Sequence, residues 1–168
     1  GTGAIGSRVA KLALAFGADV LAYSRREKEE LKSLGVKYVS LDELLSESDI
    51  VSIHTPLTEE TKGLIDKEKI ALMKPTSILV NTARGPIVDT QALVEALKEG
   101  KIAGACLDVF DQEPPLPKDY PILSLPNTLV TPHIGFATEE AMVRRAHITF
   151  SENIYNWLKG KHINKVEL

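Results

Sequence analysis

Three residues set far apart along the chain carry side chains suited to work on a small anion. Arg84 stands in "NTARGPIVD", after the apolar run at 77–80 and before Gly85-Pro86. A guanidinium there is either a structural anchor or a tool. As a tool it presents paired N–H donors that clamp a carboxylate or polarise a carbonyl. His133 stands in "TPHIGFAT", where Pro132 and Gly135 fix a turn around it. Its imidazole can give or take a proton at a reacting oxygen near neutral pH. Glu113, in "LDVFDQEPP", is the natural carboxylate to orient that ring. A lone loop histidine is more often an ordinary surface residue. His133 gains weight because Arg84, Glu113 and His133 all follow predicted strands at one edge of one sheet, where ligands of open α/β folds sit.

The elements that position them alternate. Strands are predicted at 19–23, 36–39, 50–54, 77–81, 103–109 and 128–131. Helices are predicted at 27–34, 42–47, 67–73, 90–98 and about 138–159, with a first one whose shared face carries Val9, Leu12, Ala13 and Phe16. Gly17, Gly35, Gly100 and Gly160 stand where helices would stop. Strand–helix alternation argues for βαβ units and a parallel sheet covered on both faces. The near-continuous apolar strands "IVSIH" and "SILVN" fit that cover. The loop at 111–127 is long for a compact domain, and such loops tend to be functional.

"GTGAIG" places Gly1, Gly3 and Gly6 in the G-x-G-x-x-G pattern at the opening of a helix, with Ala4 and Ile5 inside it. The first glycine permits a tight turn, the second lets a pyrophosphate reach the backbone, and the third lets helix and strand pack closely. The helix start offers free N–H groups to the phosphates. The pattern alone is weak, but a helix and then a strand follow at the right distances. A Rossmann-type doubly wound parallel sheet is the expected fold. Its first strand normally precedes this turn and lies mid-sheet, so the chain reads as a dinucleotide-binding domain over 1–168, missing that strand and belonging to a longer protein. After the strand "DVLAY", the usual Asp or Glu for ribose hydroxyls is replaced by Ser24-Arg25-Arg26. A hydroxyl and two guanidinium groups suit a 2′-phosphate, which favours NADP over NAD. The alternative is that Arg25 pairs with Glu29 and Arg26 with Glu30 at helical i,i+4 spacing.

Composition narrows the field. The chain has 168 residues, is 43% apolar and 26% charged, and carries a net charge of -3. That is ordinary for a globular protein. It offers no basic surface for nucleic acid. No apolar run is long enough to span a membrane, and no secretory leader is visible. The only cysteine, Cys106, cannot form an intramolecular disulfide and reads as core filler in a cytoplasmic protein. No His/Cys/Asp/Glu spacing suggests a metal site.

Together "GTGAIG", "HTPLTEETKGLI", "NTARGPIVD", "GACLDVFDQEPP" and "TPHIGFAT" resemble the D-isomer-specific 2-hydroxyacid dehydrogenases, a family that includes glyoxylate/hydroxypyruvate reductases and phosphoglycerate dehydrogenases. The resemblance covers nearly the whole chain. It implies that Arg84 holds the 2-oxo acid, that His133 is the acid/base, and that Glu113 pairs with His133. It implies that Asp108 contacts the nicotinamide carboxamide, that His54, Thr55 and Pro56 wall the cofactor site with Thr82 and Ala83, and that Gly135 borders it. It also implies a separate substrate domain outside this chain, a homodimer joined through this domain, and little activity for this piece alone. Ser24 departs from the family's acidic residue and matches NADP-linked members. Corepressors on the same fold keep the Arg/Glu/His set and form the rival class.

Overall fold

The computed structural model describes residues 1–112 and 115–165, so Glu113 lies outside the described residues. The chain divides into two compact units, Gly1–His133 and the segment from Ile134 onward. In the first, helices α1 (Ala4–Ala15), α2 (Glu29–Ser33), α3 (Leu41–Glu47), α4 (Lys67–Ala71) and α5 (Thr90–Lys98) alternate with strands. The strands are β1 (Leu21–Ala22), β2 (Lys37–Tyr38), β3 (Ile50–Ile53), β4 (Ile78–Asn81), β5 (Gly104–Leu107) and β6 (Thr128–Val130). Every predicted strand is present, each shorter than its apolar run.

All strand pairings are parallel, as the βαβ alternation requires. The expected single sheet is instead two. β1 and β2 form one, and β3-β4-β5-β6, in that order, form the other. Among the described residues no strand joins them. The four-stranded sheet keeps a strict register, with Ile53 beside Asn81, Asn81 beside Leu107 and Leu107 beside Val130. Four carboxyl ends therefore finish side by side.

Side-chain chemistry sets the helix starts. The side chains of Ser40, Asp66 and Asp89 accept from the N–H groups of Glu43, Lys69 and Ala92, at 3.2, 2.9 and 2.9 Å, capping α3, α4 and α5. Helix α3 packs on α4, and α4 on α5. Their apolar faces meet the sheet in one large core that includes Leu45, Ile70, Leu79, Leu93, Ile102 and Ile122. A small second cluster joins Ala10, Ala22, Leu31 and Val36.

On α1 the face with Val9, Leu12 and Phe16 is open, at 38%, 60% and 90% exposed, and small Gly6 and Ala10 face inward. Close approach of the helix selects small residues there. Cover over β3 and β4 is incomplete, because Ile50 and Ile78 at their amino ends reach solvent. Cys106 is half-buried on β5 rather than core filler.

In the second unit Thr138 caps α6 (Glu139–His147), its Oγ1 accepting from the Ala141 N–H at 3.2 Å. A π-helical segment, Ile148–Ile154, follows, and then α7 (Tyr155–Leu158). The predicted long helix is thus present, with a widened turn that its periodicity did not announce.

Candidate active site

The glycine turn sits against the end of β3. A Cβ on Gly1 would lie 2.7 Å from the His54 carbonyl oxygen, and one on Gly6 would lie 2.0 Å from the Gly1 carbonyl oxygen. Both glycines are therefore demanded by the protein's own packing. Gly3 is different, because a Cβ there meets nothing within 4 Å. Its backbone is extended, so any residue fits. Helix α1 opens at Gly3 with no capping side chain and no acid in its first turn. Uncapped N–H groups behind an open glycine suit a phosphate. These residues fit the pyrophosphate of a dinucleotide.

His54, Thr55 and Pro56 leave the carboxyl end of β3. His54 Nε2 lies 2.9 Å from Ser52 Oγ, and burial holds its imidazole below the ordinary histidine pKa. It stands against Gly1 and Gly6 of the turn.

Arg84 follows β4, and its loop is built from beneath. Asn81, 1% exposed, receives the Ala83 N–H at Oδ1 (3.0 Å) and donates through Nδ2 to the Arg84 carbonyl (2.9 Å). One buried amide thus shapes Thr82, Ala83 and Arg84 together. Gly85 then presses on the next strand's exit: a Cβ there would lie 1.8 Å from the Phe110 carbonyl. The Arg84 side chain is exposed. Its Nη1 donates to the Ala83 carbonyl at 2.6 Å, and among the described residues it has no carboxylate within ion-pair range.

Asp108 follows β5. It is 6% exposed, its N–H donates to the Asn81 carbonyl at 3.0 Å, and its Oδ1 accepts from Thr131 Oγ1 at 2.5 Å. Thr131 follows β6 and leads through Pro132 to His133. His133 is half-buried at φ 56°, a left-handed backbone uncommon outside glycine. Its N–H donates to the Thr131 carbonyl at 3.0 Å. Such a backbone at a loop with chemistry-bearing neighbours points to function.

Arg84, Asp108 and His133 thus leave three adjacent strand ends, tied by Asn81–Asp108, Gly85–Phe110 and Asp108–Thr131 contacts. Gly135 belongs to the second unit. Asn81 and Thr131 escaped the sequence reading. The only signal for Asn81 was an amide closing an apolar strand, and for Thr131 a hydroxyl before Pro132.

At the tip of β1, the i,i+4 pairing proposed for the arginines does not occur, because helix begins only at Glu29. Arg25 Nη1 lies 3.3 Å from Glu60, while Glu29 pairs with Lys32 and Glu30 with Lys11. Arg26 is exposed and forms no ion pair among the described residues. Ser24 is half-buried beside them.

Parallel strands, an open glycine turn and chemistry at the strand carboxyl ends define a Rossmann-like nucleotide-binding protein. Comparison with known proteins gives the family: residues 1–135 match the D-isomer specific 2-hydroxyacid dehydrogenase, NAD binding domain, and the chain belongs to it. It is 51% identical over 162 residues to a glyoxylate reductase of Aeropyrum pernix, covering 96% of this chain and 48% of that one. A D-3-phosphoglycerate dehydrogenase of Methanocaldococcus jannaschii is 47% identical over 163 residues, covering 96% of this chain and 30% of that one. The D-lactate dehydrogenase of Aquifex aeolicus, solved with NAD and lactic acid, superposes with a TM-score of 0.89 at 44% identity, covering 95% of this chain and 52% of that chain. The chain spans about half the length of its glyoxylate reductase relatives.

Proposed function

We propose that the protein is an NADP(H)-preferring 2-hydroxyacid dehydrogenase acting on a small 2-oxo acid of the glyoxylate or hydroxypyruvate class, and that this chain supplies its cofactor-binding part. The observation that carries the proposal is Arg84: an exposed guanidinium with no carboxylate partner among the described residues, on a loop held by a buried amide, beside the loops of Asp108 and His133. When bound, the nicotinamide supplies or receives the hydride at substrate C2.

Every other task falls to the chain. Arg84 binds the substrate carboxylate and stabilises charge that develops on the C2 oxygen, where one well-placed donor contributes about 3 kcal/mol. His133 gives that oxygen its proton in reduction and removes it in oxidation, with Glu113 orienting the ring. Asp108, Thr82 and Ala83 hold the nicotinamide end. His54, Thr55 and Pro56 line the site and limit water. Gly1, Gly3, Ala4, Ile5 and Gly6 receive the pyrophosphate. Ser24, Arg25 and Arg26 receive the 2′-phosphate. Family membership also supports association of two copies through this domain, which sedimentation of the full-length protein tests.

The test of function is the rate of NADPH and NADH oxidation with glyoxylate, hydroxypyruvate and larger 2-oxo acids, using the full-length protein. Faster turnover of the two small acids with NADPH is expected. A clear NADH preference overturns the reading of Ser24, Arg25 and Arg26.

A further inference from the structure

The loop after β1 carries one more cation, Lys28, which none of the roles above uses. Its Nζ donates to Ser7 Oγ at 2.8 Å, and Ser7, at the close of the first turn of α1, donates to the Thr2 carbonyl at 2.8 Å. The Lys28 N–H donates to the Tyr38 hydroxyl at 3.1 Å, and that hydroxyl donates to Thr2 Oγ1, also at 3.1 Å. Thr2 is 5% exposed within the glycine turn. Backbone and side chain of Lys28 are thus both tied to the element that receives the pyrophosphate.

The nearby acids are committed elsewhere. Lys32 takes Glu27 and Glu29 at 2.5 and 2.9 Å, and Lys11 takes Glu30 at 2.5 Å. Lys28 donates to a neutral hydroxyl and forms no ion pair among the described residues, though its charge is felt by Glu30. An ammonium has three donors, so it can keep Ser7 and still meet an anion. It is exposed on the same loop as Ser24, Arg25 and Arg26. Its tether to Thr2 places it between that loop and the glycine turn, the interval that an adenosine ribose bridges in this fold.

We infer that Lys28 is a specificity-determining residue for the cofactor, donating to the 2′-phosphate of NADPH from its seat on Ser7. This rests on the NADP(H) reading above. The test is steady-state kinetics of K28M and K28R in the full-length enzyme. Inhibition by 2′,5′-ADP and by ADP, competitive with NADPH, is measured alongside. K28M is expected to raise KM for NADPH and Ki for 2′,5′-ADP about tenfold, the loss typical of one charged hydrogen bond. It should leave kcat, KM for NADH and Ki for ADP in place, and K28R should restore most of the loss. If the wild type prefers NADPH and K28M moves neither value, or moves the NADPH and NADH values equally, Lys28 has no such role while the NADP(H) reading stands. If the wild type prefers NADH, both fall.

Discussion

Gly3 and Gly85 both lack a side chain, for opposite reasons, and substitution separates them. At Gly85 a methyl group would overlap the Phe110 backbone at 1.8 Å. Gly85→Ala should lower stability by more than about 2 kcal/mol in a denaturant titration, as overpacking against main chain does. At Gly3 the space is open, so Gly3→Ala should change stability by less than about 0.5 kcal/mol. It should nonetheless weaken dinucleotide binding at least about tenfold in calorimetry, because the methyl group meets the pyrophosphate. Equal binding by Gly3→Ala would remove the phosphate from that turn. At the chemical end, His133→Ala should lower kcat by about 10²–10⁴-fold with KM for the 2-oxo acid little changed. Unchanged turnover would exclude His133 as proton carrier. Asn81→Ala strips two partly buried main-chain groups of their partner. A cost of about 1–3 kcal/mol is expected, together with a lower kcat/KM as Arg84 loses its seat.

At the level of elements, caps and strand ends do most of the positioning. Asp89 caps α5 through the Ala92 N–H, and Asp89→Ala should cost about 1 kcal/mol in thermal or chemical unfolding without altering KM. Much of this was legible in the sequence. Alternation of apolar runs with helical segments located all six strands, and glycines marked the helix stops: Gly17 and Gly100 adopt φ 84° and 66°. The strand-end positions of Arg84 and Asp108 followed from the same reading. What stayed hidden depends on tertiary context. Apolar spacing says that α1 has an apolar face, not that Phe16 is 90% exposed while Ala10 faces the core. The 3-10 turns at Gly85–Ile87 and Pro121–Ser124 lie in stretches whose prolines signal only a break. The Asn81 amide could not be told from an ordinary strand end, since its partners are main-chain atoms two and three residues on. The π-helical turn at Ile148–Ile154 leaves no mark in a pattern read at 3.6 residues per turn.

For the molecule as a whole, pH acts on stability through His54. Burial lowers its folded-state pKa, so the unfolded chain binds the proton more readily. Stability should be constant above about pH 7.5 and fall as pH drops through about 6.5 and below. A series of thermal melts from pH 8 to 5.5 checks this, and His54→Gln should flatten the curve. Tyr120 is pushed up to about 12 by burial and by its hydrogen bond to Asp111. The tyrosinate absorbance of that ring should therefore appear later in an alkaline titration than that of an ordinary tyrosine.

The ion pair Asp42–Lys69 joins α3 to α4, whereas Asp49 and Lys74 pair just before β3 and β4, at the strand starts. The Asp49–Lys74 pair therefore lies at the opposite end of the sheet from Arg84, Asp108 and His133. An engineer could redesign the charges at the strand starts to tune heat or salt tolerance, in steps of under about 1 kcal/mol each, and expect reaction rates to stay where they were.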